Sequence, residues 1–316
     1  MGRYILKRLG ISIIVVFLVS ILSFTLVHML PGDPAVLALG SEASEQDVET
    51  FREKYNLNKP VVEQYVIWIT DAVRGDLGDS ITYSRPVLTC LAERLPRTVS
   101  IGLPALIIAS LVGVLAGIVS AIRRGKMVDN LITFLSTVGL GAPQFWLGIV
   151  GIYVFGMKLK LLPLSGYVAP AENFGQYLYY GVMPILILSF SLLASVARQT
   201  RSNMLEVINQ DYIRTARANG LVEQSVVFKH ALKNALIPVI TTIGLQVRVV
   251  VGGSLMVEQV FNIAGIGTLI VSAINGRDYM VVQGTVFVIS VFTVLVNFVI
   301  DLLYGFVDPR IRKSWR

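Results

Sequence analysis

Two histidines, His28 and His230, and one cysteine, Cys90, are the residues of this chain best suited to hold a metal or attack a carbonyl. The histidines lie far apart in the sequence. His-Glu-x-x-His, Cys-x-x-Cys and Gly-x-Ser-x-Gly are all missing, and with them the usual routes to a metal-activated water or an activated serine. Gly139-Leu140-Gly141 and Gly265-Ile266-Gly267 follow no strand and lack the third glycine of a dinucleotide loop. The phosphate loop Gly-x-x-x-x-Gly-Lys-Ser/Thr is absent as well, so ATP is not bound by that route. Cys90 has no second cysteine to pair with and reads as a free, inert thiol. No metal site and no catalytic group are expected.

What remains is charge in unusual places. Arg248, Glu258 and Asp301 fall inside apolar runs, where an ionisable group is costly and by default functional. Arg248 is the deepest, one helical turn beyond Gly244. It could meet a carboxylate-bearing substrate in a pore or pair with an acid on another helix. Glu258 and Asp301 sit nearer the ends of their runs and read as structural. Gln246 and Gln144 join Arg248 as candidate lining of a polar path.

The other unusual feature is residues 211–238, DYIRTARANGLVEQSVVFKHALKNALIP, a basic island between two long apolar runs. Gly220 can end one helix and permit a sharp turn. Beyond it, Val222, Val226 and Lys229 fall on one face of a short helix, with Val227 and Phe228 beside them. A stripe of valines with basic edges suits a groove on a soluble partner, and a merely solvated helix would not expose them together.

The elements that position these residues follow from composition. Apolar residues make up 54% and charged residues 15%, against about 25% charge in soluble domains, and mean hydropathy is +0.69. A helix needs about 20 apolar residues to cross a bilayer, and residues 9–30, 98–121, 131–157, 179–197, 236–262 and 281–305 qualify or come close. Six spans are expected. The first could instead be a cleaved signal peptide behind Arg3, Lys7 and Arg8, but its 22-residue run exceeds an h-region of roughly 7 to 15. It also ends in Met29-Leu30-Pro31-Gly32-Asp33-Pro34 rather than a small-x-small site, and so reads as a retained span.

Lysines and arginines in short flanks orient the chain. With the N-terminus in the cytosol, sixteen of the 27 basic residues lie inside, and most of the others lie in residues 31–97, where eleven acidic residues outnumber seven basic ones. Both termini are therefore expected in the cytosol. The net charge of +7 follows from this topology and requires no nucleic-acid partner.

The expected organisation is an N-terminal tail and first span over 1–30, an extracytoplasmic helical cap over 31–97, and a five-helix core over 98–316 with a cytosolic loop at 198–235. In the cap, residues 44–55 are charged and helical, and residues 61–73, VVEQYVIWITDAV, carry apolar positions at helical spacing. Residues 74–80 then break the pattern with turn formers. The cap either contributes to a docking surface or cavity wall or is a folded linker. In the second span Ala109, Gly113, Gly117 and Ala121 form a small-residue ladder, a helix contact within or between subunits. Gly139, Gly141 and Pro143 interrupt the third span and Gly252-Gly253 the fifth, either to line a path or for packing.

These pieces together resemble a known family. His28-Met29-Leu30-Pro31-Gly32-Asp33-Pro34, Arg74-Gly75-Asp76-Leu77-Gly78 and Ser202-Asn203-Met204-Leu205-Glu206-Val207 precede the island. His230-Ala231-Leu232-Lys233-Asn234-Ala235-Leu236-Ile237-Pro238 closes the island, and Arg277-Asp278-Tyr279, Val282-Gln283 and Asp308-Pro309-Arg310-Ile311-Arg312 follow it. In this order, and over nearly the whole chain, they are similar to a permease subunit of the peptide, nickel and opine class of binding-protein-dependent ABC importers.

The resemblance implies an all-α membrane protein with the type I importer fold in a bacterial cytoplasmic (inner) membrane. It implies a second homologous permease subunit, two cytosolic ATPases that bind ATP and Mg, and an extracytoplasmic solute-binding protein. This chain would hold no cofactor. The island resembles the family's coupling loop, with Arg214-Thr215-Ala216 where Glu-Ala-Ala would stand and Gly220 in place. Asn219 stands where a basic residue is expected and Lys233 where the wider pattern has proline. ATPase-coupling residues carried over are Arg214, Thr215, Ala216, Arg217, Gly220, Val222, Val226, Val227, Lys229 and His230. Di- or oligopeptides are the expected cargo, with nickel or a metal chelate, glutathione or an opine as alternatives. A secondary transporter working without ATPases would need ionisable groups at midplane, and beyond Arg248 the chain offers almost none.

Overall fold

The computed structural model describes residues 2–28, 34–40 and 43–307; residues 29–33, residues 308–312 and the Asp301 side chain, which the sequence singled out, lie outside the described set. Helices α1 (Gly2–His28), α2 (Pro34–Leu39), α3 (Glu45–Lys54) and α4 (Val61–Val73) come first. Strands β1 (Asp79–Ser80) and β2 (Arg85–Pro86) form one small antiparallel hairpin. Then follow α5 (Val87–Ile122), α6 (Met127–Gly141), α7 (Gln144–Gly151) with a π-helical continuation Ile152–Lys158, and α8 (Phe174–Ile208). After α9 (Asp211–Ala218) comes α10 (Glu223–Ser225), running into a π-helical stretch Val226–Ala231. The chain continues with α11 (Leu232–Gly253), α12 (Leu255–Val260), α13 (Ile266–Asn275) and α14 (Tyr279–Val307).

The all-α membrane architecture expected from composition is present. Four helices are long and apolar enough to cross a membrane, and the number rises to six if two bent pairs each count as one span. The third expected span is not one straight helix: Met127–Gly141 and Gln144–Lys158 are bent by 105°. Proline disfavours the helical conformation for the residue before it, and Ala142, before Pro143, is extended at ψ 128°. The fifth bends by 51° around Pro238, which lacks the N–H a helix interior needs.

Contacts gather the chain into two units, Met1–Pro96 with Ala264–Phe298, and Arg97–Ile263 with Val299–Arg316. In the first unit, Ser44 caps α3 by accepting the Asp47 N–H at 3.1 Å, and acidic residues begin that helix while basic ones end it, as the helix dipole favours. The fully buried Asp278 holds the hairpin. Its carboxylate accepts from Ser80 Oγ at 2.6 Å, Thr82 N at 3.0 Å and Val281 N at 3.3 Å. One acid thus caps α14 and fixes β1, which gives the Arg277-Asp278-Tyr279 motif its structural reason. Helix α4 joins α1 through Ser20 Oγ and Tyr65 OH at 2.7 Å and through His28 Nε2 and Gln64 Oε1 at 3.0 Å.

In the second unit, α8 is the spine. The small-residue ladder of α5 faces it: a Cβ on Gly113 would lie 2.9 Å from Val196 Cβ, and one on Gly117 2.5 Å from Thr200 Cβ and 2.6 Å from the Ala197 carbonyl. Gly139 brings α6 equally close, 2.8 Å from Ala194 Cβ. The ladder is therefore a contact within the chain. Buried Glu258 accepts from Thr98 Oγ1 at 2.7 Å and Ser254 Oγ at 3.0 Å, so it joins α5 to α12.

Gly117→Leu should force α5 off α8, at a cost of about 1–3 kcal/mol or more. The check is thermal unfolding in detergent, with Gly141→Ala as control because a Cβ there meets nothing within 4 Å.

Candidate functional site

The island between α8 and α11 folds as a helix, a tight turn and a second helix. Gly220, at φ +77°, supplies the left-handed residue that ends α9, and its N–H donates to the Arg217 carbonyl at 2.9 Å. Across this turn Arg217 forks onto Glu223, Nε to Oε2 at 3.0 Å and Nη2 to Oε1 at 2.7 Å. The hydrogen bonds from Arg217 to Glu223 raise the guanidinium above its ordinary value. Thr215 Oγ1 donates to the Asp211 carbonyl at 3.0 Å. Arg214 is open to solvent and makes only a loose 3.5 Å pair with Asp211.

One side of the loop is buried. Ile213, Ala216, Val226, Val227, Ala231 and Ala235 pack with Ile118 and Ala121 of α5 and Met204 of α8. This corrects the expectation that Val222, Val226 and Val227 stand exposed together: Val226 is 0% and Val227 3% exposed, so these two seat the loop. The uncovered apolar residues are Val222 (71%), Phe228 (54%) and Leu221 (42%), and Tyr212, Arg214 and Lys229 are exposed as well. Ala216 belongs to the seat and His230 is half-buried. Val222 and Val226 do not share a helix face because Val222 is the extended residue before α10, at ψ 135°.

A charged joint lies in the same unit. Asp129 is buried in the first turn of α6, and Arg201 of α8 grips it twice, Nε to Oδ1 at 2.7 Å and Nη2 to Oδ2 at 2.9 Å. Ser120 Oγ and the Gly125 N–H donate to the same carboxylate. Three helices therefore meet on one acid. Sequence reasoning missed it; the available signal was an acid just ahead of the apolar run 131–157, behind Arg123, Arg124 and Lys126. Next to Met204, Asn203 reaches the Ala235 carbonyl at 3.4 Å, so the Ser202-Asn203-Met204 motif ties α8 to α11.

Gln144 Nε2 donates to Ser191 Oγ at 2.8 Å, linking α7 to α8. Gln246 is half-buried and Arg248 exposed, and two residues along a helix point about 200° apart, so at most one of them faces any single path. Arg248 shares its face with exposed Leu245 and Val249. Among the described residues it makes no ion pair or hydrogen bond.

The family described as the inner membrane component of binding-protein-dependent transport systems matches residues 113–313, and the family of its N-terminal part matches residues 1–102. The chain belongs to this family. It is 40% identical over 312 residues to a probable peptide ABC transporter permease of Sinorhizobium fredii, covering 99% of this chain and 100% of that one. Identity is likewise 40% to the oligopeptide transport system permease AppB of Bacillus subtilis, over 98% and 99% of the two chains. The glutathione transport system permease GsiC of Escherichia coli is 40% identical over 99% of each chain. In this permease the basic island is packed on α5 and α8 by one side and leaves Leu221, Val222 and Phe228 exposed.

Val226→Asp should unseat that loop, because it buries an unpaired charge, and should lower the melting temperature of the purified permease by several degrees. Phe228→Asp, on the uncovered face, should shift it little. Asp129→Asn should cost on the order of 2–3 kcal/mol, less than the roughly 3–5 of a fully buried pair, because the Arg201 side chain keeps 30% exposure. Differential scanning fluorimetry in detergent reads all three.

Proposed function

We propose that this permease is the pore-forming subunit of an ATP-driven importer of di- and oligopeptides and that it turns events on cytosolic ATPases into solute movement. The observation that carries the reading is a loop packed against α5 and α8 that leaves Leu221, Val222 and Phe228 exposed, with Arg214 and Lys229 exposed on the same loop. An apolar face rigidly backed by the membrane helices suits a docking surface that must transmit displacement. Under this reading two ATPase subunits bind ATP and Mg, and the permease catalyses no reaction itself. A second, homologous permease completes the pore as a heterodimer, an extracytoplasmic solute-binding protein delivers cargo, and both termini lie in the cytosol.

Peptide cargo is supported by the near full-length likeness to permeases named for peptides and oligopeptides. Glutathione, itself a tripeptide, is the second reading, favoured by the equal likeness to a glutathione permease. ATP binding draws the ATPases together, their docked loops follow, and the pore opens outward to receive solute; hydrolysis resets it. Within the loop Gly220 makes the turn, Arg217 holds it, and Ala216, Val226 and Val227 pass its movement to α5 and α8. Thr215 and His230 support the docking face. The cap over residues 31–97 is the surface offered to the binding protein. Arg248, exposed on α11 with no partner among the described residues, is assigned to the translocation path or to the contact with the second permease. Gln246 and Gln144 are further candidates for the path.

The test is reconstitution of the co-purified complex in proteoliposomes with its binding protein. ATP-dependent uptake of labelled dipeptide is expected, with glutathione as the competing cargo, and the chain purifying stably without ATPases would overturn the importer reading. In the same vesicles Phe228→Asp should cut solute-stimulated ATP hydrolysis at least tenfold while leaving the permease folded.

A further inference from the structure

An apolar groove of about 580 Å³ lies in the second unit between α5, the π-helical continuation of α7, and α8. Val112 lines it from α5, Val154 and Phe155 from the π-helical stretch, and Met183 and Leu186 from α8, with Leu162 just beyond that stretch. Its one hydroxyl, Ser189 Oγ, donates to the Leu186 carbonyl at 2.9 Å and needs no further partner. Val112, Phe155 and Leu186 are exposed. Within a bilayer such a surface is covered either by a lipid chain or by another helix.

One end of the groove carries charge. The Leu159 N–H donates to the Val154 carbonyl and the Leu161 N–H to the Phe155 carbonyl, each at 2.9 Å, so the chain turns back directly after the residues that line the groove. Lys160 is two residues from the lining Leu162, which keeps their Cα atoms within about 7.6 Å. Lys158 follows Phe155 by three residues, and its Nζ lies 5.2 Å from the centre of the Tyr153 ring, next in sequence to Val154. Both lysines are exposed, and neither meets an acid among the described residues. Lys160 holds φ +53°, a left-handed conformation that a residue with a side chain adopts at a cost. With the N-terminus in the cytosol this end belongs to the outer side, where short flanks are poor in lysine.

Size and charge decide between the two occupants. A helix is about 10–12 Å across, so two of its turns need roughly 850 Å³ or more, above the 580 Å³ of the groove. An acyl chain is one methylene wide and fits. A phosphodiester at the membrane surface then comes within reach of two ammonium groups, and a charged donor to phosphate oxygen makes a strong hydrogen bond. We propose that this groove holds one acyl chain of an anionic phospholipid whose phosphate is met by Lys158 and Lys160. The ammonium groups need not enter the groove, because the headgroup lies beyond its end. The proposal depends on the membrane placement of the chain and not on its cargo.

The experiment is native mass spectrometry of the permease with the subunits that copurify, delipidated in detergent and titrated with dioleoyl phosphatidylglycerol or with zwitterionic dioleoyl phosphatidylcholine. One copy of phosphatidylglycerol is expected to bind at least tenfold more tightly than any further copy. The Lys158→Gln, Lys160→Gln double variant should weaken that copy about tenfold and leave phosphatidylcholine unchanged, whereas Val112→Trp, which fills the groove, should remove it. Both lysines are exposed, so the double variant should keep its melting temperature and carries the test should Val112→Trp fail to fold. Equal binding of the two lipids, or a tight copy that persists in the folded variants, means adventitious lipid only and overturns the proposal. So does efficient cross-linking of Val154→Cys to a second permease in native membranes, which would show that a helix covers the groove.

Discussion

The close approach of α5 to α8 at Gly113 and Gly117 is the contact on which the second unit depends. In lipid the hydrophobic effect does not drive helices together, because acyl chains are as apolar as leucine; close packing and hydrogen bonds must do it. Two glycines remove the side chains that would hold the backbones apart, and Gly139 does the same for α6 on α8. Helix α8 thereby receives two partners over the same turns. Arg201, farther along it, closes the arrangement by gripping Asp129 at the start of α6. Dispersion alone would let these helices slide; the bidentate pair, with Ser120 and Gly125 filling the remaining acceptor sites, fixes their register.

The loop after α8 inherits that rigidity. Its buried side, Val226 and Val227 against Ile118, Ala121 and Met204, contributes about 1.5–3 kcal/mol for each fully buried aliphatic side chain. The Arg217 to Glu223 pair is largely solvated, and such pairs are worth at most about 1 kcal/mol, so it shapes the turn more than it stabilises the loop. The magnitudes assign the seat to the apolar contact. Under the coupling role proposed for it, this packing would make the loop move with α5 and α8. Leaving Leu221, Val222 and Phe228 in water is a standing cost that a soluble partner would remove.

Composition and run length made the membrane class legible, and the proline at 143 made the break after α6 legible, because both effects are local. Helices α3 and α4 were legible as well: Ser44 caps the one, and Pro60 precedes the apolar spacing of the other. The buried side of the loop after α8 was not. Both sides of residues 221–231 are apolar, and periodicity alone does not say which of two apolar faces meets the chain itself, least of all across a π-helical stretch. Asp129 with Arg201 and Ser80 with Asp278 were equally hidden, since each pair joins residues far apart in sequence and depends on the packing of helices or hairpins that single-sequence periodicity cannot supply.

Buried polar groups in this chain fall into two kinds. Those that join elements are satisfied: Asp129 receives Arg201, Ser120 and Gly125; Asp278 receives Ser80, Thr82 and Val281; Glu258 receives Thr98 and Ser254. Among the described residues, the buried side-chain atoms left without a hydrogen-bond partner are Trp68 Nε1 and Gln283 Nε2. Arg248 on α11 is exposed. An arginine on an apolar helix face, with no acid to meet it among the described residues, is stable in a membrane only beside water, a solute or another chain.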